Sequence, residues 1–295
     1  MGLVLNTNST ATVASLNLDR NQTALQKSLA RLSSGSKIVI PADDAGGLAV
    51  ANKLKAVISR NLRAQQNVSN AISFLQVQDG ALSQVAKVMD RLSELKTMSL
   101  DVTKNTDDIA NYQAEFRQLQ EQLGNIRDEK FNGINLFTTD NTTAATDALT
   151  VYTTELGDSS GAPTVSLTRL SIFSDLATGT LSGLRADDGT GTVKDLLNTG
   201  DSNISTFNTS IFVDYIQNVA TTRAQNGAEM QRLQSSLSML KTNHTNIEAA
   251  HSRLADVDMA LESTRFTRNN IMTQSAASML AQANSLPSIA LQLLN

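Results

Sequence analysis

The chain has 295 residues, no cysteine, a formal net charge of -4 and 4% aromatic residues, with a pI near 5.2. The absence of cysteine excludes a disulfide framework and a thiolate metal site. An acidic chain without a basic stripe is not expected to bind nucleic acid. With few aromatic residues and no tryptophan, the chain is poorly suited to a thick core but can form narrow helical seams.

The N-terminal stretch MGLVLNTNSTATVAS has no basic start and no apolar segment of signal-peptide length. No run of about 18 apolar residues occurs anywhere, so the sequence predicts no membrane span and no membrane partner. If the protein leaves the cell, we expect export without a cleaved signal.

The two ends of the chain each carry a narrow apolar stripe with a period of seven residues. A stripe this narrow cannot bury itself alone, so we expect the two ends to pair with each other or with neighbouring subunits. The N-terminal stripe is formed by Val4, Ala11, Leu18, Leu25 and Leu32. The C-terminal stripe is formed by Met272, Met279, Leu286 and Leu293, followed four residues later by Ala276, Ala283 and Ala290.

Between the first stripe and the next helical run lies the irregular segment KIVIPADDAGG. Because Pro41 favours extended backbone before it, Asp43 or Asp44 is well placed to cap a helix beginning at Ala45. Gly46 and Gly47 then indicate close backbone approach. This interpretation is favoured over a metal site at the aspartates, and no phosphate-binding glycine motif is present.

Three further runs carry apolar residues at helical spacing and predict long seams. Polar members of these seams are interpreted as residues that set helix register: Asn61, Gln65, Asp79, Arg223 and Asn226. The first run contains Leu54, Val68, Leu75, Leu82 and Met89; the second Ile109, Tyr112, Phe116, Leu119, Leu123 and Ile126; the third Phe212, Val219, Leu233, Leu240, Ile247, Leu254 and Leu261. The third register predicts about 75 Å of continuous helix.

The middle of the chain differs, since 8 of the 15 glycines lie between Gly133 and Gly200. ALTVYTTEL and TVSLTRLSIF alternate as half-buried strands do. The predicted fold is therefore mainly α: a long antiparallel helical rod with coiled-coil seams, paired N- and C-terminal helices, and a small β segment in the middle. The predicted segments are 1–44 (N-terminal helix and bend), 45–137 (first half of the rod), 138–210 (Gly/Ser/Thr-rich, partly β), 211–258 (second half of the rod) and 259–295 (C-terminal helix).

His244 and His251 are the only histidines and are seven residues apart. No third ligand lies at a metal-binding spacing, so a polar layer in a helical seam is the favoured interpretation. We expect no metal, no cofactor and no enzymatic activity.

Several sequence blocks resemble the bacterial flagellin family: VLNTNSTA, RLSSGSKIVIPADDAGGLAVANKL, LSQVAKVMDRLSELKTMSLD, NYQAEFRQLQEQLGNI and FNGINLF in the N-terminal part, and TTRAQNGAEMQRLQ, NIEAAHSRLADVD and QSAASMLAQANSLPSIALQLL in the C-terminal part. The resemblance covers roughly residues 1–137 and 211–295. It implies a subunit of the flagellar filament used for swimming, located outside the cell and exported unfolded through the flagellar type III channel. The implied partners are other copies of the chain in a helical homopolymer, the filament cap, hook–filament junction proteins, an export chaperone at the C-terminus and the host innate receptor for flagellin.

The same resemblance implies two groups of site residues. Those expected to pack between subunits are Leu18, Leu25, Leu32, Gly46, Gly47, Met272, Met279, Leu286 and Leu293. Those expected to contact the innate receptor are Arg91, Glu94, Leu95 and Glu115. In the family, the irregular segment before Ala45 is a bend that joins the terminal helix to the rod.

Two alternatives stay open. A hook–filament junction protein shares the terminal plan but usually lacks the C-terminal block present here as Leu280 to Leu294. A helical signalling or adhesin coiled coil belongs to a different class, and it would need a membrane span or a sensor domain.

Overall fold

The structure, a computed structural model, describes residues 8–137, 149–157, 163–167, 185–187, 193–195 and 203–293. Helices make up most of this part of the chain, which confirms the predicted mainly α class. The helices are α1 (Ser9–Ser34), α2 (Ala45–Ser99), α3 (Thr106–Arg127), α4 (Thr209–Ala255) and α5 (Met259–Leu293), with a 3₁₀ turn at Ile204–Thr206. The strands are β1 (Lys130–Phe131), β2 (Ile134–Asn135), β3 (Leu149–Tyr152), β4 (Thr164–Leu167), β5 (Arg185–Asp187) and β6 (Val193–Asp195).

Polar side chains cap the N-termini of α1 and α3. Asn8 accepts a hydrogen bond from the Ala11 backbone nitrogen at the start of α1. Asn105 and Asp108 form a reciprocal capping box at the start of α3. Such caps satisfy backbone N–H groups that have no partner inside the helix. The chain therefore specifies these boundaries locally.

The chain divides into two compact units. One unit contains Met1–Ser59 and Thr245–Asn295, and the other contains Arg60–His244. Both boundaries lie inside helices α2 and α4 rather than at loops. The starts of α2 and α5 coincide with the predicted segment starts at 45 and 259, while the five-segment division itself stays a prediction.

In the unit Arg60–His244, the predicted heptad residues form the core. The fully buried members of α2 are Val68, Leu75, Leu82 and Met89, and those of α4 are Phe212, Val219, Leu233 and Leu240. Asn226 of α4 bonds to Leu75 of α2, whereas Arg223 pairs with Asp79. Because the α2 number rises as the α4 number falls, these helices run antiparallel. Phe116 of α3 completes the core and meets Phe212 edge-on, with the ring centroids 6.4 Å apart.

The strands form three antiparallel pairs in the described residues. The pair β3–β4 confirms the predicted strands, with Val165 and Leu167 buried; the rest of TVSLTRLSIF lies outside the described residues. The pair β1–β2 was missed, because its residues were assigned to the helical segment 45–137. A two-residue turn at Asn132 and Gly133 joins these strands, and both residues have positive φ values of 50° and 83°. An Asn-Gly turn is a strong hairpin signal, so the sequence did contain the information.

The seven-residue register of the third run continues to Leu261, past the end of its helix. The predicted segment ended at 258, and α4 ends at Ala255, after 47 residues and about 70 Å. Asp258 then caps α5, accepting hydrogen bonds from the Ala260 and Leu261 backbone nitrogens at 3.0 and 3.1 Å. Leu261 is 50% exposed. A capping aspartate stops one helix and starts another without disturbing a seven-residue apolar period, so periodicity alone cannot detect the break.

None of the described helices combines the length and the apolarity that crossing a membrane requires.

Candidate assembly surface

Helices α1 and α5 pack against each other along a narrow antiparallel seam. On α5 the covered positions alternate at three- and four-residue spacing: Glu262, Phe266, Asn269, Thr273, Ala276, Leu280 and Ala283. On α1 they are Ala11, Ala14, Leu18, Asn21, Leu25, Ser28 and Leu32. The predicted stripe residues Leu18, Leu25 and Leu32 therefore lie on this seam, where they are half-buried. The predicted pairing of the two terminal helices is confirmed.

Amide side chains connect the two helices across the seam. Asn8 Nδ2 donates to the Ala283 carbonyl at 2.8 Å, and Asn21 Nδ2 donates to the Met272 carbonyl at 3.3 Å. Asn269 Nδ2 donates to Ser28 Oγ at 3.4 Å. The seam combines half-buried leucines with alanines, amides and hydroxyls, and few of its side chains are fully buried, so its hydrophobic stabilisation is limited.

The methionines of the predicted C-terminal stripe lie beside the seam rather than in it. Met272 is 44% exposed and Met279 is 65% exposed, whereas Thr273 and Leu280, one residue further on, are covered. One residue is about 100° around a helix, so two stripes with the same period occupy different faces. Ala276 and Ala283 of the predicted stripe meet the N-terminal helix, and Met272 and Met279 line the groove beside this seam. Packing of the methionines between subunits stays a prediction, and the side chains of Leu286 and Leu293 lie outside the described residues.

Exposed apolar residues line the outside of this helix pair. Val13 and Met279 border a groove of about 760 Å³ between α1 and α5, together with Met272, Ala276 and Ala283. Leu16, Leu29 and Ile271 are also exposed large apolar residues on the same two helices. We call the exposed groove residues Val13, Met272 and Met279 the apolar rim. Exposed apolar side chains grouped along one groove are typical of a protein interaction site.

An ionic cluster with two buried carboxylates joins α1, the bend and α5. Lys27 Nζ lies 2.6 Å from Asp43 Oδ1, and this hydrogen bond lowers the pKa of the Asp43 carboxyl below its usual value. Arg31 lies between two carboxylates, 3.9 Å from Asp43 and 3.9 Å from Glu262. Glu262, with its side chain 3% exposed, also accepts a hydrogen bond from Arg265 at 3.2 Å. Asp43, the first aspartate of the pair Asp43-Asp44, thus stabilises the bend electrostatically.

Backbone hydrogen bonds link the two helix breaks of this unit. Gly35 ends α1 in the left-handed region, with φ of 67°. The Lys37 nitrogen then donates to the Ala255 carbonyl at 2.7 Å, and the Val257 nitrogen donates to the Gly35 carbonyl at 3.1 Å. The bend after α1 and the break before α5 therefore form a short antiparallel bridge. Sequence reasoning missed this pairing because residues more than 200 positions apart leave no periodic signal.

The second aspartate of the pair caps α2 as predicted. The Gly47 nitrogen donates to Asp44 Oδ1 at 2.8 Å. A Cβ at Gly47 would fall on Asp44 Oδ2 and lie 3.1 Å from Ile38 Cδ1, so the predicted close approach is confirmed there. At Gly46 the nearest atom would be Asp44 Oδ1 at 3.7 Å, an ordinary contact, so the prediction is wrong for Gly46. Packing of either glycine between subunits stays a prediction.

The residues predicted to contact the innate receptor lie in the unit Arg60–His244. Arg91 Nε and Nη2 donate to the two Glu115 oxygens at 2.6 and 3.1 Å, and Nη1 donates to Glu94 Oε2 at 3.0 Å. These bonds raise the pKa of the Arg91 guanidinium, and the bond to Glu115 has the largest effect. The three side chains form an accessible ionic cluster on α2 and α3. Leu95 is fully buried in the core, and its contact with the receptor stays a prediction.

The polar seam residues meet in small groups. Arg223 forms two hydrogen bonds with Asp79, at 2.9 and 3.2 Å, which raise the pKa of Arg223. Gln65 Nε2 donates to Asn61 Oδ1 at 2.7 Å. Asn226 Nδ2 donates to the Leu75 carbonyl at 3.1 Å. The bond of Gln65 to Asn61 lies within α2, whereas Arg223 with Asp79 and Asn226 with Leu75 connect α2 and α4 in one register. These two contacts support the interpretation that the polar residues set the register.

His244 and His251 are half-buried, in different units. Within the part of the chain that the structure describes, no three His, Cys, Asp or Glu side chains are grouped as metal ligands.

Long paired terminal helices with exposed apolar residues on their outer face are typical of a helical structural protein that associates with other chains. Comparison with known proteins agrees. The model of the bacterial flagellin N-terminal helical region matches residues 5–142, and that of the bacterial flagellin C-terminal helical region matches residues 210–294. The chain therefore belongs to the bacterial flagellin family, and it is a structural subunit of the flagellar filament.

Relatives match over nearly the whole chain. A flagellin of Halalkalibacterium halodurans is 34% identical over 99% of this chain and 100% of its own length. A flagellin of Bacillus subtilis is 31% identical over 96% and 98%, and the flagellar filament 33 kDa core protein of Treponema phagedenis is 32% identical over 99% and 100%. The crystal structure of Bacillus cereus flagellin, at 22% identity, aligns with 63% of this chain and 94% of its own with a TM-score of 0.42.

Proposed function

We propose that the chain polymerises through the outer faces of α1 and α5, and that the resulting filament drives swimming outside the cell. The observation that carries this proposal is the apolar rim. Val13, Met272 and Met279 are 58%, 44% and 65% exposed in the single chain, and burying a fully exposed side chain of this kind stabilises by about 1.5–3 kcal/mol. Neighbouring copies that cover the rim supply that stabilisation.

Assembly is then coupled to folding of the terminal helices. The buried residues of the α1–α5 pair include Ser28, Glu262 and Ala283, which gives a thin seam. Helices stabilised by so little burial form poorly in water without further contacts. In the free subunit the terminal helices are therefore the least stable part, and they become fixed when neighbouring copies cover the rim. The same property suits export of an unfolded subunit through the flagellar type III channel.

Further partners follow from the family. We propose that the C-terminal helix binds an export chaperone before assembly, and that the filament contacts a cap at its tip and junction proteins at its base. We also propose that the innate receptor for flagellin binds the ionic cluster of Arg91, Glu94 and Glu115. Arg91 has its charge and part of its surface accessible, so it is the residue of this cluster best suited to a direct contact.

A charge placed in the apolar rim tests the assembly proposal. Met279→Lys should leave the helical content of the monomer unchanged because the side chain is already exposed, and it should prevent filament growth because a charge would be buried between copies. Met239→Lys is the matched control, since Met239 is an exposed methionine of α4 outside the α1–α5 pair. Electron microscopy and sedimentation after seeding measure the outcome. Normal filaments from Met279→Lys, or equal loss in both variants, would refute the proposed surface.

A further inference from the structure

The sequence contains two Asn-Gly dipeptides, Asn132-Gly133 and Asn226-Gly227. Glycine has no side chain to shield its nitrogen, so the preceding side-chain amide can approach it closely. We propose that Asn132 is a site of spontaneous deamidation that introduces isoaspartate into the turn between β1 and β2, and that the fold protects Asn226 from the same reaction.

The turn at Asn132 is accessible and weakly held. Asn132 is exposed, and a Cβ built on Gly133 would meet no heavy atom within 4 Å. The hairpin contains two residue pairs, Lys130 with Asn135 and Phe131 with Ile134. Short hairpins open locally at little free energy. Opening lets the Asn132 backbone leave its left-handed conformation and bring Cγ up to the Gly133 nitrogen.

The reaction balances with water alone. The Gly133 nitrogen loses its proton to hydroxide and attacks Asn132 Cγ, which forms a cyclic imide. The bond between Cγ and the side-chain nitrogen breaks, and that nitrogen leaves as ammonia after taking up a proton. Water then opens the imide at either carbonyl. Opening at the backbone carbonyl leaves the chain connected through Cγ, which is isoaspartate, and opening at Cγ gives aspartate.

Asn226 lies in the opposite environment. It is buried near the middle of α4, and its Nδ2 donates to the Leu75 carbonyl at 3.1 Å. In a continuous helix the Gly227 nitrogen is held by the backbone ladder and cannot turn toward the preceding side chain. Cyclisation at Asn226 therefore requires unfolding of α4 and separation from α2.

Isoaspartate at position 132 would damage a specific part of the core. It adds one carbon to the backbone and a negative charge to a turn whose two residues both need positive φ. The pairing of Phe131 with Ile134 could not then be kept, and Phe131 packs edge-on against Phe74 with ring centroids 5.9 Å apart. The strand leads directly to Leu136 and Phe137, both fully buried. The modified chain also gains an isoaspartyl carboxyl group, the substrate of isoaspartyl methyltransferases.

Ageing of the purified full-length protein at mildly alkaline pH tests the proposal. Peptide mapping by mass spectrometry follows both Asn-Gly sites, and methyl transfer from labelled S-adenosylmethionine by an isoaspartyl methyltransferase quantifies isoaspartate. A parallel sample is kept unfolded in denaturant. We expect modification at Asn132 alone in the folded protein and at both sites in denaturant.

Asn132→Gly is the control variant, because Gly-Gly also favours this turn and has no side-chain amide. We expect it to accept no methyl groups when folded, and to keep its melting temperature on ageing while that of the parent falls. Three results would overturn the proposal: equal modification at both sites in the folded protein, an unmodified Asn132 in the folded protein, or no isoaspartate in either sample.

Discussion

Replacing Asn226 by leucine tests whether a polar residue in the α2–α4 seam lowers stability. Asn226 is 1% exposed. Its Nδ2 donates to the Leu75 carbonyl at 3.1 Å, and its Oδ1 is buried with no hydrogen-bond partner among the described residues. Leucine has the same number of side-chain heavy atoms, is somewhat bulkier, and has no polar atom to satisfy. The Leu75 carbonyl keeps its bond within α2, so it is not left without a partner.

The expected change is an increase in the free energy of unfolding. The lost hydrogen bond contributes about 0.5–1.5 kcal/mol, and removing a buried unsatisfied acceptor returns about 1–3 kcal/mol. Burying the leucine side chain adds about 1.5–3 kcal/mol, reduced by about 1–3 kcal/mol if the branched shape packs imperfectly. We therefore expect Asn226→Leu to stabilise by about 1–2 kcal/mol, which raises the melting temperature by about 2–8 °C in a unit of this size.

Thermal unfolding followed by circular dichroism measures this change. Asn218→Leu is the matched control, because Asn218 lies on the exposed face of the same helix and its substitution should change stability by less than about 0.5 kcal/mol. A melting temperature for Asn226→Leu that is equal to or below that of the parent would refute the reasoning. It would mean that the bond to Leu75 outweighs the buried Oδ1.

Three further predictions concern the bend and the receptor cluster. Because Lys27 lowers the pKa of Asp43, the stabilisation exists above the ordinary carboxyl pKa and disappears as pH falls through the lowered value. Melts of the parent should therefore fall in temperature below about pH 4, and Asp43→Asn should lose that part of the pH dependence. Gly47→Ala should displace the capping carboxylate and destabilise by about 1 kcal/mol, whereas Gly46→Ala should not destabilise; thermal melts compare the two. Leu95→Ala should lower the free energy of unfolding by about 2–5 kcal/mol, measured in melts, because it leaves a cavity in the core. A loss of receptor activation by this variant is therefore compared with its loss of stability.

Local signals in the sequence predicted the helices, the α2 cap and one strand pair. The burial of Val68, Leu75 and Leu82 follows from a seven-residue period, because residues at that spacing lie on one face of a helix. The Asp44 cap follows from an aspartate before a helix-forming run. These features depend on residues within a few turns of one another, and one sequence is enough to find them.

Contacts between distant segments could not be predicted in this way. Arg31 and Glu262 lie 3.9 Å apart, but no periodicity connects positions on two separate helices. The bridge between Ser36 and Asp256 is equally invisible. The hairpin at Asn132 is a different case. Its Asn-Gly turn signal is present in the sequence, but it lies inside a segment that was predicted to be helical.

The two faces of α5 explain why the period of the methionine stripe did not specify its partner, and why the position of the methionines bears on assembly. A seven-residue period describes how a helix repeats, and it does not say which face meets which partner. In α5 the face toward α1 carries Phe266, Thr273, Ala276 and Leu280, and Met272 and Met279 beside it are exposed. Burial of apolar area is the main source of stability in a helix pair. If neighbouring copies cover these methionines, as we propose, the terminal helices gain apolar burial on polymerisation that their own pairing does not supply.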